Sequence, residues 1–215
     1  PNPLSTAIKR VYNIPMNAFD FDKTIYRNDS SVDFLLYCIK RKPIILLLGP
    51  KFLLAYLGYK LKVWDKTKMK EMIYSYYRLV PDMEGYLGDF WDKNACKIKD
   101  WYLKMQRSDD VIISASPHFQ LKVICERLGI KHLIASEVDS ATGKYFSPNN
   151  LAEQKPLRFR EVFGECTIEE FYSDSLSDEP MALISQRAYV VKGDKIIKWE
   201  DYRKEKRVNT NKSTH

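Results

Sequence analysis

The stretch Met16-Asn-Ala-Phe-Asp20-Phe-Asp22-Lys-Thr24 joins a short apolar run to two aspartates and a threonine. An apolar run that stops abruptly at polar residues is typical of a buried strand in a parallel sheet. Residues two apart on an extended chain point to the same side, so the carboxylates of Asp20 and Asp22 are expected to converge beyond the strand. Open α/β sheets bind their ligands at that edge. The stretch therefore predicts an α/β fold with a candidate site at the end of its first strand.

Four later segments of the chain repeat this apolar pattern. They are DVIISAS (110–116), HLIASEV (132–138), IEEFYSD (168–174) and RAYVVK (187–192). Helical patterns such as FQLKVICERLG lie between them, and this alternation predicts a doubly wound parallel sheet of the Rossmann-like type. The segment EVDSATGKYFSP (137–148) predicts a hairpin excursion. The polar tail from Trp199 is expected to be partly disordered.

Between the first two predicted strands, the sequence has a run of helical patterns and no strand pattern. The run comprises SSVDFLLYCIKR, IILLLGPKFLLAYLGYKL with a break at Gly49-Pro50, DKTKMKEMIYSYYRLV and MEGYLGDFWDKNACKIKDWYLKM. Asp29 suits the N-cap of the first helix, and Asp33 its first turn. We predict a discontinuous α/β core, residues 1–28 and 109–215, with an inserted all-helical cap, residues 29–108.

The positive charge of the chain is concentrated in two segments. The 215 residues include 35 Lys and Arg against 28 Asp and Glu, a formal charge of +7. Residues 40–70 carry +8 and residues 192–215 carry +4, which leaves −5 for everything else. A nucleic-acid groove should be basic, so the acidic remainder argues against nucleic acid as a partner.

The basic segment surrounds an apolar run, in which 13 of the 18 residues after Pro43 are apolar. A membrane span is not expected because Gly49, Pro50 and Lys51 interrupt the run. The favoured interpretation is a helix buried in the cap bundle. The alternative is an apolar helix, flanked by lysines, that rests on an anionic membrane or a lipid substrate.

Four widely spaced cysteines and the amino-terminal residues bear on localisation. Cys38, Cys96, Cys125 and Cys166 form no CxxC pair, so reduced and mostly buried thiols are expected. The residues before Met16 lack the apolar segment of a signal peptide. We expect a cytoplasmic protein, with membrane association as an open alternative.

Other predicted strand ends and one helix start contribute further polar groups. Ser114 ends the second strand, Asp174 and Asp178 follow the fourth, and Lys155 begins a helix. Paired carboxylates can hold a hard cation, or can serve as nucleophile and general acid. A hydroxyl and an ammonium can bind phosphate oxygens. Together these groups predict a Mg²⁺-assisted phosphoryl-transfer site.

With these four motifs, FDFDKT, IISAS, the lysine of AEQKPL and YSDSLSDEPM, the sequence resembles the haloacid dehalogenase superfamily of phosphatases. The helical insert resembles the C1 cap of the subclass that includes phosphoserine phosphatases and a phosphatidylglycerophosphatase. The resemblance implies a nucleophile, Asp20, and a general acid and base, Asp22. It also implies Mg²⁺ held by Asp20, the Asp22 carbonyl and Asp174, phosphate bound by Ser114 and Lys155, and support from Asp178 and Thr24.

Several neighbouring residues are assigned no catalytic role. Lys23 stands where many members of the superfamily have glycine, and its side chain is expected to point away from the metal. His118 is expected to be an ordinary residue of a first helical turn, with a phosphate-side role as the alternative. The aromatic residues Tyr172, Tyr74, Tyr76 and Tyr77 are expected to pack in the core or the cap.

The leading hypothesis is a Mg²⁺-dependent phosphomonoesterase that forms an aspartyl phosphate. The apolar, basic cap favours an amphiphilic or lipid-linked phosphate such as phosphatidylglycerophosphate. A small polar metabolite such as phosphoserine is the alternative, although the cap shows no counterpart of the arginine motif found in phosphoserine phosphatases. A mutase or dehalogenase remains open within the family. A peripheral membrane or nucleic-acid binding module without catalysis is the alternative from another class.

Overall fold

The central element is a six-stranded, mostly parallel sheet, which confirms the predicted fold class. The computed structural model describes residues 16–212. Its strands are β1 (Met16–Phe19), β2 (Val111–Pro117), β3 (His132–Ser136), β4 (Ile168–Ser173), β5 (Ser185–Lys192) and β6 (Lys195–Lys198). They are ordered β3-β2-β1-β4-β5-β6, and only β6 runs antiparallel to its neighbour. All five predicted strands are present, and β6 is an addition.

The strand order explains where a site can form. The chain leaves β1 toward β2 on one side, and β4 pairs with the other side of β1. When the connections that leave two neighbouring strands run to opposite sides of the sheet, a crevice opens between these connections at the carboxyl ends of the two strands. All four residues of β1 are buried, so its main chain is fixed at this crevice.

Helices occupy the insert between β1 and β2, as predicted, and also the connections of the core. In the insert they are α1 (Ser30–Arg41), α2 (Gly49–Lys60), α3 (Lys66–Tyr74), α4 (Met83–Asn94) and α5 (Asp100–Met105). In the core they are α6 (His118–Arg127), α7 (Gln154–Phe163), α8 (Glu179–Leu183) and α9 (Trp199–Lys212). Short 3-10 helices span Pro43–Leu48, Ser75–Leu79, Ala95–Lys97 and Leu176–Asp178. Asp29 caps α1 by accepting a hydrogen bond from the Val32 amide at 3.1 Å.

The inserted helices and one face of the sheet share a single aromatic cluster. The ring of Tyr102 from α5 packs edge-on against Phe19 of β1, with centroids 5.0 Å apart. Trp91 of α4 packs against Phe21 and donates its indole N–H to the Gln120 carbonyl at 2.8 Å. The helices therefore lie firmly on the core. The predicted limits of the two domains stay a prediction.

The apolar run of the cap does not lie in a buried bundle, so that expectation is wrong. The run changes from a 3-10 helix to α2 at Gly49, where the break was predicted. Within it only Ile45, Ala55 and Gly58 are buried. Leu47 is 76% exposed and Leu61 is 74% exposed. One stripe of the run packs on the cap, and the remaining apolar side chains face outward.

The tail is helical where partial disorder was expected. Helix α9 begins at Trp199, which is 4% exposed and packs in the second core cluster of the sheet. Arg203, one turn later, pairs with Glu179 of α8 at 2.6 Å. These two anchors offset the polar composition of the segment. The last three residues of the expected tail lie outside the described residues, as do the residues before Met16.

The predicted excursion after β3 contacts the cap. An antiparallel bridge joins Val138 to Tyr145, and the Tyr145 amide donates to Glu71 of α3 at 3.2 Å. Gly143, at the turn, has φ +75°, and a Cβ atom there would lie 2.5 Å from the Tyr74 carbonyl oxygen. Only glycine suits both the left-handed backbone and the close approach. The excursion therefore holds the cap against the core.

None of the four cysteines forms a disulfide, and Cys38 and Cys125 are buried. Cys96 is exposed, and Cys166 is partly exposed. The lack of disulfides agrees with the expected reduced thiols, while the expectation that most of the thiols are buried holds for two of the four.

Candidate active site

Asp20 lies just past the carboxyl end of β1 and is 8% exposed. Its Oδ1 accepts a hydrogen bond from Lys155 Nζ at 2.8 Å, and its Oδ2 accepts one from Thr24 Oγ1 at 3.2 Å. Burial raises the pKa of Asp20 to about 7, although the Lys155 ammonium acts in the opposite direction. The carboxylates of Asp178 and Asp174 raise this pKa further. An additional cation in the crevice would relieve this accumulation of negative charge.

Lys155 lies on α7 and links two of the predicted carboxylates. Its ammonium is 2% exposed and donates to Asp178 Oδ2 at 2.6 Å as well as to Asp20. Asp178 also accepts a hydrogen bond from Ser173 Oγ at 2.8 Å. The two carboxylates raise the pKa of Lys155, so the side chain stays charged in spite of its burial. The structure thus fixes a permanent positive charge beside Asp20.

Asp22 is held from two sides at the same crevice. Its Oδ1 accepts the Ser30 amide at 2.6 Å, and its Oδ2 accepts a short hydrogen bond from Ser116 Oγ. Burial, followed by the nearby Asp29 carboxylate, raises the pKa of Asp22 to about 6. A carboxyl group with a pKa near the working pH can both give and take a proton, which suits a general acid and base.

Ser114 and Ser116 end β2 on the same side, facing the crevice. Ser114 is 1% exposed, and its Oγ accepts the Ser116 amide at 3.1 Å. Asn150 donates to the Ser114 carbonyl at 3.0 Å and to the Ile134 carbonyl at 3.1 Å, which fixes the end of the strand. The Ser114 hydroxyl and Lys155 lie on opposite flanking elements, β2 and α7, of one cleft. This arrangement can bind an anion between them.

The donor set at the crevice fits a magnesium ion. The Asp174 carboxylate accepts no hydrogen bond from any residue of the described chain, and burial raises its pKa. No group of three or more His, Cys, Asp and Glu side chains that could hold a metal was found in residues 16–212. Mg²⁺, however, typically binds one or two carboxylates and keeps several waters. Asp20, Asp174 and the Asp22 carbonyl are residues that would hold it. Bound there, the ion would supply positive charge for the phosphoryl oxygens.

The cleft brings together the six predicted residues with groups that sequence reasoning missed. Asp20, Asp22, Ser114, Lys155, Asp174 and Asp178 all line it. Thr24 is buried behind Asp20 and reaches the site through its hydrogen bond. The cap contributes Asp29, Ser31, Lys66 and Lys70, and β2 contributes Ser116. Ser116 could have been found in the sequence, because it stands two residues after Ser114 on one strand.

The lysines of the cap make its edge of the cleft basic. Lys70 Nζ donates to the Ala115 carbonyl at 2.8 Å, directly beside the serines of β2. Burial and the neighbouring Lys66 lower the pKa of Lys70 to about 8. A hydrogen-bond chain also links the cap to Asp22: Tyr74 donates to Ser31 at 3.2 Å, Ser31 lies 3.3 Å from Ser116, and Ser116 donates to Asp22. Cap residues therefore both line the cleft and connect to Asp22.

The orientation expected for the Lys23 side chain, away from the metal, stays a prediction. The residue lines the cleft, and its positive charge lowers the pKa of Asp174. Its φ of 61° lies in the left-handed region, which favours glycine and accounts for the glycine of many family members at this position.

The other neighbouring residues lie where the sequence placed them. His118 begins α6 and lines a different cavity. Tyr172 stacks on Phe19, and Tyr76 and Tyr77 are buried in the same core cluster. Tyr74 is also buried there, but its hydroxyl reaches Ser31 in the cleft.

A family comparison matches most of the chain. The model of the haloacid dehalogenase-like hydrolases matches residues 18–183, which include every residue of the cleft. The chain belongs to the haloacid dehalogenase-like hydrolases. This membership confirms the resemblance drawn from the four motifs, and with it the prediction of an enzyme of the phosphatase type over a binding module without catalysis. No curated protein sequence matches significantly.

Solved structures share the fold of this haloacid dehalogenase-like hydrolase at low sequence identity. A protein of unknown function from Bordetella pertussis Tohama I has a TM-score of 0.64 and 18% identity over 81% of this chain and 88% of its own. A phosphoserine phosphohydrolase-like protein from Francisella tularensis has a TM-score of 0.52 and 16% identity over 81% of this chain and 86% of its own. A probable phosphoserine phosphatase from Vibrio cholerae has a TM-score of 0.57 and 12% identity over 81% of this chain and 57% of its own. These similarities support the assigned fold.

Proposed function

We propose that this hydrolase cleaves phosphomonoesters in two steps, with Mg²⁺ as its cofactor and an aspartyl phosphate as intermediate. The observation that carries the proposal is the arrangement at Asp20. This carboxylate lies at the crevice with the Lys155 ammonium 2.8 Å away, and Asp22 lines the same cleft. Phosphoryl transfer needs positioning and neutralisation of charge more than any other contribution, and these residues supply both.

In the first step, an Asp20 carboxylate oxygen attacks phosphorus while the bond from phosphorus to the ester oxygen breaks. Asp22, whose raised pKa keeps its protonated form accessible, gives its proton to the leaving alkoxide. In the second step, Asp22 takes a proton from water, whose oxygen attacks the phosphorus of the aspartyl phosphate. Inorganic phosphate leaves and Asp20 is regenerated. Ser114 and Lys155 hold phosphoryl oxygens throughout, and Asp178 keeps Lys155 in place.

The test measures hydrolysis of an aryl phosphate by the wild type and by Asp20→Asn and Asp22→Asn, with Mg²⁺ and with EDTA. Asp20→Asn should lose activity, and EDTA should abolish that of the wild type. With nitrophenyl phosphate as the aryl phosphate, the leaving group departs as nitrophenolate and needs no proton. Asp22→Asn should therefore release nitrophenolate in a burst equimolar with the enzyme, and then turn over slowly because the second step lacks its base. Asp194→Asn, on the exposed turn before β6, is the matched control and should behave as wild type. Full activity in Asp20→Asn, or with EDTA, would refute the proposal.

For the substrate we propose an amphiphilic or lipid-linked phosphate, such as phosphatidylglycerophosphate, acted on at the cytoplasmic face of a membrane. Two observations support it. Lys66 and Lys70 of the cap line the same cleft as the phosphate-binding groups and suit a second anionic group on the substrate. The outer face of the cap is apolar. The cytoplasmic location is proposed because the four cysteines form no disulfide, which fits a reducing compartment.

A small polar substrate such as phosphoserine is the second candidate, because Asp29 also lines the cleft and could meet an amine. Turnover of phosphatidylglycerophosphate, phosphoserine and a sugar phosphate distinguishes the two. The lipid-linked substrate would be refuted if kcat/KM were higher for phosphoserine than for phosphatidylglycerophosphate and if Lys66→Met hydrolysed phosphoserine as well as the wild type does. The proposed two-step reaction would not be affected by that result.

A further inference from the structure

The cap carries a concentrated apolar surface that the catalytic chemistry does not use. Ten of the nineteen exposed large apolar side chains of the described residues lie between positions 44 and 63. We call this surface the cap ridge; it consists of Ile44, Leu46, Leu47, Leu53, Leu54, Tyr56, Leu57, Tyr59, Leu61 and Val63. Exposed apolar side chains concentrated in one segment in this way indicate an interaction site.

The folding of the cap does not account for the ridge. The stripe of the run that packs inward consists of Ile45, Leu48, Phe52, Ala55 and Gly58. These residues recur every three or four positions, as the inner face of a surface helix requires. Their neighbours on the outward side would be polar in an ordinary surface helix. Here the outward side is apolar as well, so its apolar character serves something outside the fold.

The charges around the ridge indicate the kind of partner. Lys40, Arg41 and Lys42 precede it, Lys51, Lys60 and Lys62 lie within it, and Lys66 and Lys68 follow. The one acid of residues 40–70 is Asp65, whose carboxylate caps α3. Apolar side chains bordered by lysines match the boundary between the acyl chains and the anionic headgroups of a bilayer. The long lysine side chains can reach the headgroups while their stems stay with the apolar residues.

The packing of the ridge favours a helix that lies along the bilayer and does not cross it. The helical segment Pro43–Lys60 has 18 residues and a mean hydropathy of 1.2, so by length and composition it could cross a membrane. Its inner stripe is nevertheless held by the cap, and Ile45 and Ala55 are fully buried there. Crossing would remove these contacts and would place Lys51 in the bilayer.

We propose that the cap ridge docks in the surface of an anionic lipid bilayer, with its apolar side chains at the acyl boundary. Helix α3, which begins six residues after α2 ends, contributes Lys66 and Lys70 to the cleft, so the docking surface and the active site are neighbours along the chain. Docking goes beyond the proposed reaction and does not depend on it.

The test is flotation of the full chain with phosphatidylcholine vesicles, with and without about one third phosphatidylglycerol. Binding to the anionic vesicles should exceed binding to the neutral ones by at least about tenfold at low salt, and should weaken at high salt. The double variant Leu47→Glu, Leu54→Glu should lose at least about tenfold in binding. Both residues are more than half exposed, so the variant should fold normally, as circular dichroism can verify.

The matched control is Leu183→Glu on α8, because Leu183 is 73% exposed but lies outside the cap. It should bind as the wild type does. Absence of binding, or equal losses in the control, would overturn the proposal. The proposal would also be overturned if the wild type self-associated in sedimentation, bound no vesicles, and lost its self-association in the double variant. Retention of the bound chain on the vesicles in alkaline carbonate would overturn it as well, because it would indicate a segment that crosses the bilayer. Asp20→Asn should float normally, which separates this test from that of the reaction.

Discussion

Replacing Lys155 by methionine removes the one ammonium that separates two buried carboxylates. Its Nζ lies 2.8 Å from Asp20 Oδ1 and 2.6 Å from Asp178 Oδ2. Removing one partner of a buried ion pair typically costs about 3–5 kcal/mol, because the other charge stays buried without compensation. We expect Lys155→Met to lower the free energy of unfolding by about that amount at pH 8, in addition to abolishing activity.

The loss should depend on pH in a definite direction. The pKa of Asp20 in the folded wild type, about 7, lies above its ordinary value of 3.8. A carboxyl group with a raised pKa stabilises the fold at low pH, and this contribution is lost as the pH rises through the folded pKa. Without Lys155, the pKa of Asp20 rises further. The difference in the free energy of unfolding between the wild type and Lys155→Met should therefore be smaller at pH 5 than at pH 8.

The measurement is urea unfolding in EDTA, followed by tryptophan fluorescence at both pH values. Lys122→Met, at an exposed pair with Glu126, is the control and should change stability by less than about 0.5 kcal/mol. Adding Asp20→Asn to Lys155→Met should recover part of the loss. A loss below about 1 kcal/mol at pH 8, a loss independent of pH, or a deeper loss in the double variant would refute this reasoning.

Three further predictions concern the cap and the general acid. Gly143→Ala should lower the free energy of unfolding, measured in urea, by at least about 2 kcal/mol more than Gly129→Ala does. Both positions have a positive φ, but only at position 143 would the added Cβ atom meet the backbone of another segment. Ser116→Ala removes a hydrogen bond that lowers the pKa of Asp22, so the acidic limb of the kcat profile against pH should move upward. Lys70→Met should raise KM more than it lowers kcat, and this effect should fade above about pH 8, where Lys70 loses its proton; steady-state kinetics at several pH values would show it.

The sequence predicted those parts of the molecule whose signal is local. A buried strand that ends in polar residues is readable from a few letters, and so Asp20, Ser114 and Asp174 were placed correctly at one edge of the sheet. The strand β6 was missed because its sequence KIIK is short and charged at both ends. Helix α9 was missed because its stability depends on Trp199 and Arg203 finding partners elsewhere in the fold.

Contacts between the cap and the core could not be predicted, because they join residues far apart in the chain. Nothing near Lys70 in the sequence indicates that it reaches the Ala115 carbonyl. The same limit explains the wrong expectation for the apolar run. Composition shows that a segment is apolar, but which of its faces finds a partner is decided by the length and direction of the helices around it.

The aromatic cluster shared by cap and sheet restricts how this protein can be re-engineered. Trp91 of the cap packs against Phe21, which lies between Asp20 and Asp22 in the sequence. Exchanging residues 29–108 for the cap of another family member would thus alter the packing beside Asp20 and Asp22 as well as the substrate-facing groups. Cap exchange in this protein would not transfer substrate preference alone; it would need matched changes at Phe19 and Phe21.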